Sequence, residues 1–270
     1  MLNPLLVPPV EPPVAQSNPE RAGHVARRAP IENSLLAALP REDYRRLSAE
    51  LEPVMLTFGE LLYEPGETIR HVYFPCSSLV SLLTLVDGHL ALEVGLIGRE
   101  GMVGIPLVLD HAVSSVRALV QGTGTAKRMV AAHFLEEFRA SLPLQHEVYR
   151  YTHTLMAQIS QTAACNRFHV VGTRLARWLL MTHDRVKSDR FHMTHEFLAV
   201  MLGVRRVGVT KAAQALQTRK LISYSRGDIT VLDRRGLEAA ACACYEVVKD
   251  MHDGAQAGHA THGTRMPAAA

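Results

Sequence analysis

Arg205, Arg206, Thr210, Lys211 and Gln214 bring guanidinium, hydroxyl, ammonium and amide groups together within ten residues. Positions three and four apart share one face of a helix, so these groups can form a single polar stripe. The chemistry of such a stripe is recognition: arginine can bridge both major-groove acceptors of guanine, and basic side chains neutralise phosphate. Val207 interrupts the stripe with an apolar group suited to a thymine methyl. Bond-making chemistry has no comparable constellation. No nucleophile–base pair is evident, and Gly122-Thr123-Gly124-Thr125 lacks the Gly-Lys-Ser/Thr ending of a phosphate-cradling loop. The sequence therefore predicts a non-enzyme.

The stripe needs a helix that presents it. Thr194 can cap a first helix, with Glu196 in its opening turn where the dipole favours an anion. Phe197, Leu198, Met201 and Leu202 recur at helical spacing, and Gly203 can end that helix in the left-handed conformation. A second helix then buries Val209, Ala213 and Leu216 and turns Arg206, Val207, Thr210, Lys211 and Gln214 outward. Two short helices hinged at glycine also occur in domains that never meet nucleic acid, so the charge map has to decide. From Arg167 to Arg235 there are fourteen Lys or Arg and five acids, a net of +9, whereas Glu32 to Val130 carries a net of −4. A basic module joined to an acidic one fits a phosphate-binding domain attached to a sensor. Beyond the second helix, Leu221 to Leu232 reads as a β-hairpin around Arg226-Gly227-Asp228. There Arg226 would meet the DNA backbone without reading sequence.

With these pieces in order, the chain resembles the Crp/Fnr superfamily of bacterial transcription regulators from about Leu35 to about Leu237. Leu62 to Glu67, His71 to Phe74, Gly101-Met102-Val103-Gly104 and the whole of Met193 to Asp233 carry the resemblance. It implies an α+β chain: an N-terminal eight-stranded β jelly-roll barrel related to cyclic-nucleotide-binding domains, a long dimerisation helix and a C-terminal winged helix-turn-helix. It also implies a homodimer on a palindromic double-stranded DNA operator, with RNA polymerase and a small-molecule effector as partners. Some relatives hold an iron–sulfur cluster through N-terminal cysteines, but the first 75 residues here contain none. Nucleotide-binding relatives also place a glutamate where Ile105 stands in Gly104-Ile105-Pro106-Leu107. Cyclic AMP is therefore not expected to bind in the usual mode, although Arg117 is the one candidate effector-binding residue.

The residues support this layout independently. Val54–Phe58, Ile69–Phe74, Leu79–Val86, Leu90–Ile97, Val116–Val120 and Thr123–Val130 are short β-rich runs between Gly-containing turns, which argues for a sandwich or barrel. A metal-holding enzyme barrel is disfavoured, because His71, His89 and His111 form no His-x-His pair. Leu144, Val148, Tyr151, Leu155 and Ile159 follow a four-three rhythm, read as a dimerisation seam, with packing on the chain's own barrel as the alternative. Trp178 is expected in a core.

The 270 residues, 47% of them hydrophobic, suffice for two domains. The expected boundaries are a disordered Pro-rich leader (1–31), a sensor domain (32–140), a dimerisation helix (141–166), a winged helix-turn-helix (167–240) and a disordered tail (254–270). The leader holds half of the prolines and cannot form a signal-peptide helix, and no apolar run is long enough to span a membrane, so a cytoplasmic location is expected. Cys76, Cys165, Cys242 and Cys244 make no disulfide framework. Cys242 and Cys244 could chelate metal only with partners from elsewhere, since they would face apart on a helix, and no metal site is expected; no cofactor is expected either. Two alternatives remain open: a haem-, gas- or redox-responsive relative using His146 or His153, and a small-molecule-binding barrel protein without DNA regulation.

Overall fold

The run Leu79–Val86 is apolar at nearly every position, where a strand with one wet face would alternate. The computed structural model, which describes residues 32–87, 90–186 and 188–261, shows why: both faces of this strand are covered. Val80 and Leu82 point into the core of the N-terminal domain, while Leu79 and Leu83 belong to a second core shared with the C-terminal domain.

Two short helices, α1 (Ser34–Ala37) and α2 (Arg41–Ser48), precede seven strands among the described residues: β1 (Glu52–Leu56), β2 (Leu61–Tyr63), β3 (His71–Pro75), β4 (Leu79–Val86), β5 (Leu90–Ile97), β6 (Arg117–Gly122) and β7 (Gly124–Val130). All pair antiparallel, in a three-stranded sheet of order β1-β7-β3 and a four-stranded sheet of order β2-β6-β4-β5. The expected strands recur, β4 and β5 with unchanged limits, and β2 is added. The sheets form a sandwich around one core and not a closed barrel.

Helix α3 (Ala131–Ala140) leads to α4 (Leu142–Phe168), capped by Ser141, whose hydroxyl accepts from the Leu144 N–H at 3.2 Å. Leu144, Val148, Tyr151 and Leu155 lie in the N-terminal domain's own core, with Ile159 packed against it. This corrects the dimer-seam assignment: the four-three rhythm of these residues records packing of α4 on its own sheet. Gly101 is part of the same contact, since a Cβ there would fall 2.0 Å from the Tyr151 ring. The opposite face of α4 exposes Leu142, His146, Tyr149, His153, Met156 and Ser160, again at four-three spacing.

The C-terminal domain comprises α5 (Val171–His183), β8 (Arg190–His192), α6 (His195–Leu202), α7 (Arg206–Thr218), β9 (Ile222–Ser225), β10 (Asp228–Val231), α8 (Arg234–Ala240) and α9 (Cys244–Thr261). Helix α9 runs past Gly254, the start of the tail expected to be unstructured, to Thr261. Cys242 lies outside both α8 and α9, so it does not share a helix with Cys244, and both thiols are buried. The leader 1–31 and residues 262–270 fall outside the described residues. No described helix is long and apolar enough to cross a membrane.

Candidate nucleic-acid interface

Helix α6 starts where the Thr194 hydroxyl accepts the Phe197 N–H at 3.1 Å. It stops at Gly203, which takes φ 60° and ψ 42°. A side chain there would be strained, and it would also collide with Leu92 of β5, 2.7 Å from the position of a Cβ. Helix α7 follows after two residues and buries Val209, Ala212, Ala213 and Leu216. Arg205, Arg206, Val207, Thr210, Lys211 and Gln214 are all exposed, as the periodicity predicts. Arg206 meets only a loose opposing charge, Glu196 at 3.9 Å.

The wing is a three-stranded sheet of order β8-β10-β9. Arg226 and Gly227 both have positive φ, 52° and 89°, which gives a tight hairpin turn matched to strand twist and puts exposed Arg226 at its tip. Asp228 is held by Arg190 at 2.6 Å and His192 at 3.0 Å; these partners, Arg190 first, keep its pKa below the usual range.

His195 joins the two halves of this surface, a role its sequence position does not reveal. Its ring stacks on Tyr224 of β9 at 4.1 Å, and its Nδ1 lies 3.1 Å from the Thr210 hydroxyl. Burial, aided by the Arg206 charge, lowers its pKa and favours the neutral ring. Thr210 also donates to the Arg206 carbonyl at 3.1 Å, so its hydroxyl is partly engaged within the protein.

Behind this surface the basic residues behave differently. Arg174 and Arg177 are buried, Arg185 pairs with Glu100 at 2.7 Å, and Arg234 pairs with Asp184 at 2.6 Å. Burial alone would raise the Glu100 pKa, but Arg185, then His252, and hydrogen bonds to the carboxylate together leave it lowered. His252 of α9 contacts Arg185 at 3.1 Å, and burial followed by that cation pushes its pKa down to about 4.

A polar chain crosses between the domains. Trp178 of α5 donates to Glu93 of β5 at 2.9 Å, and the Gln121 amide donates to the Thr182 hydroxyl at 3.2 Å. Ser81 lies against both Glu93, at 2.7 Å, and the Gln121 carbonyl oxygen. One serine hydroxyl holds one proton and cannot donate to two acceptors. A protonated Glu93 that donates to Ser81, which then donates to Gln121, satisfies the whole chain. The electrostatics agree: burial raises the Glu93 pKa to about 7, against the opposing effects of Ser81, Trp178, Arg177 and Arg185. Trp178 is thus a core residue, as expected, with an added polar link that spacing does not reveal.

In the N-terminal domain, Arg117 makes a two-point contact with Glu64, both at 2.9 Å, so its charge is already answered within the protein. Ile105 is buried in the core. His146 and His153 lie exposed on α4.

Residues 173–240 match the Crp-like helix-turn-helix domain model. Among solved structures, FixK2 from Bradyrhizobium japonicum is similar at 13% identity and TM-score 0.62, covering 72% of this chain and 98% of its own. A CRP-family transcriptional regulator from Thermus thermophilus shows 20% identity and TM-score 0.58, over 70% of this chain and 96% of its own. The c-di-GMP-responsive global regulator CLP from Xanthomonas campestris shows 16% identity and TM-score 0.57, over 71% and 99%. No curated protein matches the chain by sequence.

Proposed function

We propose that this chain is a sequence-specific DNA-binding regulator that acts as a homodimer on a palindromic operator, because residues 173–240 match a Crp-like helix-turn-helix domain and the fold is similar to that of CRP-family regulators. The observation that carries the reading is the exposed stripe Arg205, Arg206, Thr210, Lys211 and Gln214 on a helix whose other face is fully packed. Arg206, Lys211 and Gln214 read base edges, Val207 meets a thymine methyl, and Arg205 and the wing's Arg226 hold phosphates. A two-fold assembly sets two α7 helices about one DNA turn apart, which a palindrome mirrors.

The subunit seam in this reading is the outer stripe of α4, with Leu142 76%, Tyr149 50% and Met156 61% exposed. The neighbours Leu155 and Met156 separate the two faces. Met156→Glu should give a folded monomer with weakened operator binding, whereas Leu155→Glu buries a charge in the chain's own core and should unfold the protein. Sedimentation and circular dichroism of both variants distinguish these outcomes. The effector, in this proposal, is not a cyclic nucleotide held in the usual mode: Glu64 already neutralises Arg117, and Ile105 offers no acceptor for a ribose hydroxyl. Selection of bound sequences from a random DNA pool is the test. Recovery of a two-fold symmetric motif supports the reading, and recovery of no motif would sink it.

A further inference from the structure

Cys165 and His169 are four residues apart at the end of α4, where the His169 N–H bonds the Cys165 carbonyl at 3.1 Å. One helical turn therefore sets both side chains on one face. Cys242 precedes α9 and Cys244 begins it, and the chain turns between them, with the Tyr245 N–H on the Cys242 carbonyl at 3.0 Å. That turn brings two thiols to the same point as the first pair. The Cys165 and Cys242 sulfurs are 3.5 Å apart, the Cys244 sulfur is 3.5 Å from His169 Nδ1, and all four ligand atoms lie within 4.8 Å of one another.

Zinc–sulfur bonds of about 2.3 Å and zinc–nitrogen bonds of about 2.0–2.1 Å make a tetrahedron with edges of about 3.5–3.8 Å. Two of the separations, at 3.5 Å, match those edges, and none of the others exceeds 4.8 Å. An iron–sulfur cluster spreads its protein ligands wider than a single ion does, and this group is compact. The three thiols form a buried cluster of their own, apart from both hydrophobic cores.

The surroundings also fit an anionic centre. Three thiolates, one neutral imidazole and one divalent ion leave a net charge of −1. Buried Arg174 and Arg177 both interact electrostatically with Cys165 and Cys242. Arg174 Nε and Arg177 Nε and Nη1 have no hydrogen-bond partner among the described residues. Gln161, one turn before Cys165, donates to the Cys244 sulfur at 3.0 Å, the kind of outer contact that orients a metal-bound thiolate.

We propose that Cys165, His169, Cys242 and Cys244 bind a single zinc ion in a closed Cys3His site that fastens the end of α4 to the start of α9. With four protein ligands the site leaves no open position, so its role is structural.

The test uses the full untagged chain, purified under reducing conditions and analysed for metal by mass spectrometry. One equivalent of zinc per chain is expected. Exchange for Co2+ should give thiolate-to-cobalt charge transfer in the near ultraviolet and the intense visible bands of tetrahedral cobalt. Both should vanish in Cys242→Ser/Cys244→Ser, and sulfur charge transfer separates this site from any binding by histidines alone. His169→Cys keeps four soft ligands and should retain the tetrahedral spectrum with shifted visible bands, which guards against misfolding as the cause of loss. Gln161→Ala should weaken zinc binding by about 10-fold or more. Reduced wild-type chain that takes up no tetrahedral cobalt, an unchanged spectrum in the double variant, or a Cys165–Cys242 disulfide in freshly isolated protein would overturn the proposal. None of these readouts involves DNA, so the result stands apart from the operator test.

Discussion

Arg206 on α7 and Arg185 after α5 carry the same guanidinium in one domain. The Arg206 side chain is 70% exposed and faces Glu196 at 3.9 Å, whereas that of Arg185 is 8% exposed and bonds Glu100 at 2.7 Å. The difference follows from the packing on each side. Helix α7 has a single covered face, but the chain after α5 is pressed between the β-sandwich and α9, where a charge persists only with partners. A net charge counted along the sequence therefore overstates the field that DNA would meet. Arg174, Arg177, Arg185 and Arg234 are spent on holding the molecule together, and the outward positive surface comes from Arg205, Arg206, Lys211, Arg226 and their neighbours.

The sharpest way to break this division is Arg185→Ala. It strands the buried Glu100 carboxylate and should destabilise the fold by about 3–5 kcal/mol. Urea denaturation measures it; an unchanged midpoint together with weaker operator binding would place Arg185 with the outward group.

Next in size is Glu93→Gln. The folded-state pKa of Glu93 is about 7, above its ordinary 4.5, so the folded chain keeps a proton that the unfolded chain releases. The stability linked to that proton is fully present below the unfolded value and is lost as pH rises through about 7, by up to about 3 kcal/mol. Glutamine should abolish this slope. What remains should run the opposite way, because His252 is pushed down to about 4: its contribution is lost as pH falls from about 6.5 through about 4. A difference in urea midpoint between wild type and Glu93→Gln that is the same at pH 5 and at pH 8 would contradict the protonated Glu93.

On the outward side, Arg206→Ala should leave stability unchanged, cost about 1–3 kcal/mol of operator affinity and relax preference at one base pair of each half-site. Quantitative binding at fixed salt to matched and altered operators checks both parts. The smallest effect belongs to Arg226→Ala, which should weaken all sequences alike and reduce the slope of log affinity against log salt by about 1. A loss confined to one sequence would make the wing a reader.

The outward group was legible in the sequence because it depends on local rules. Thr194, Gly203 and the burial of Val209, Ala213 and Leu216 fix α6 and α7 with little help from elsewhere. The strands β4 and β5 were legible for a similar reason, being long apolar runs closed by a turn. The inward group was not. Glu93 and Trp178 are 85 residues apart, and His195 and Tyr224 are 29 apart; no spacing rule joins such pairs before the fold exists. The α4 rhythm shows a subtler limit. Both faces of that helix repeat at four-three spacing, so periodicity identified a helix with an apolar seam but not which body covers it. Cys242 and Cys244 show the same limit, because a spacing of two places them on opposite faces of one helix, whereas α9 begins only at Cys244 and the chain turns between them.

The contact between Leu92 and the Gly203 turn, together with the Phe58–Phe197 ring pair at 5.1 Å, bears on how far the helix-turn-helix domain can be moved as a unit. A helix-turn-helix domain joined to the rest of its chain only through a linker could be exchanged like a cassette. Here a transplanted domain would bring a Trp178 N–H seeking Glu93, a Phe197 ring seeking Phe58 and a turn shaped to Leu92. A working chimera must therefore carry β5 and the Phe58 loop along with it, so the unit that can be exchanged is larger than the matched helix-turn-helix domain, residues 173–240.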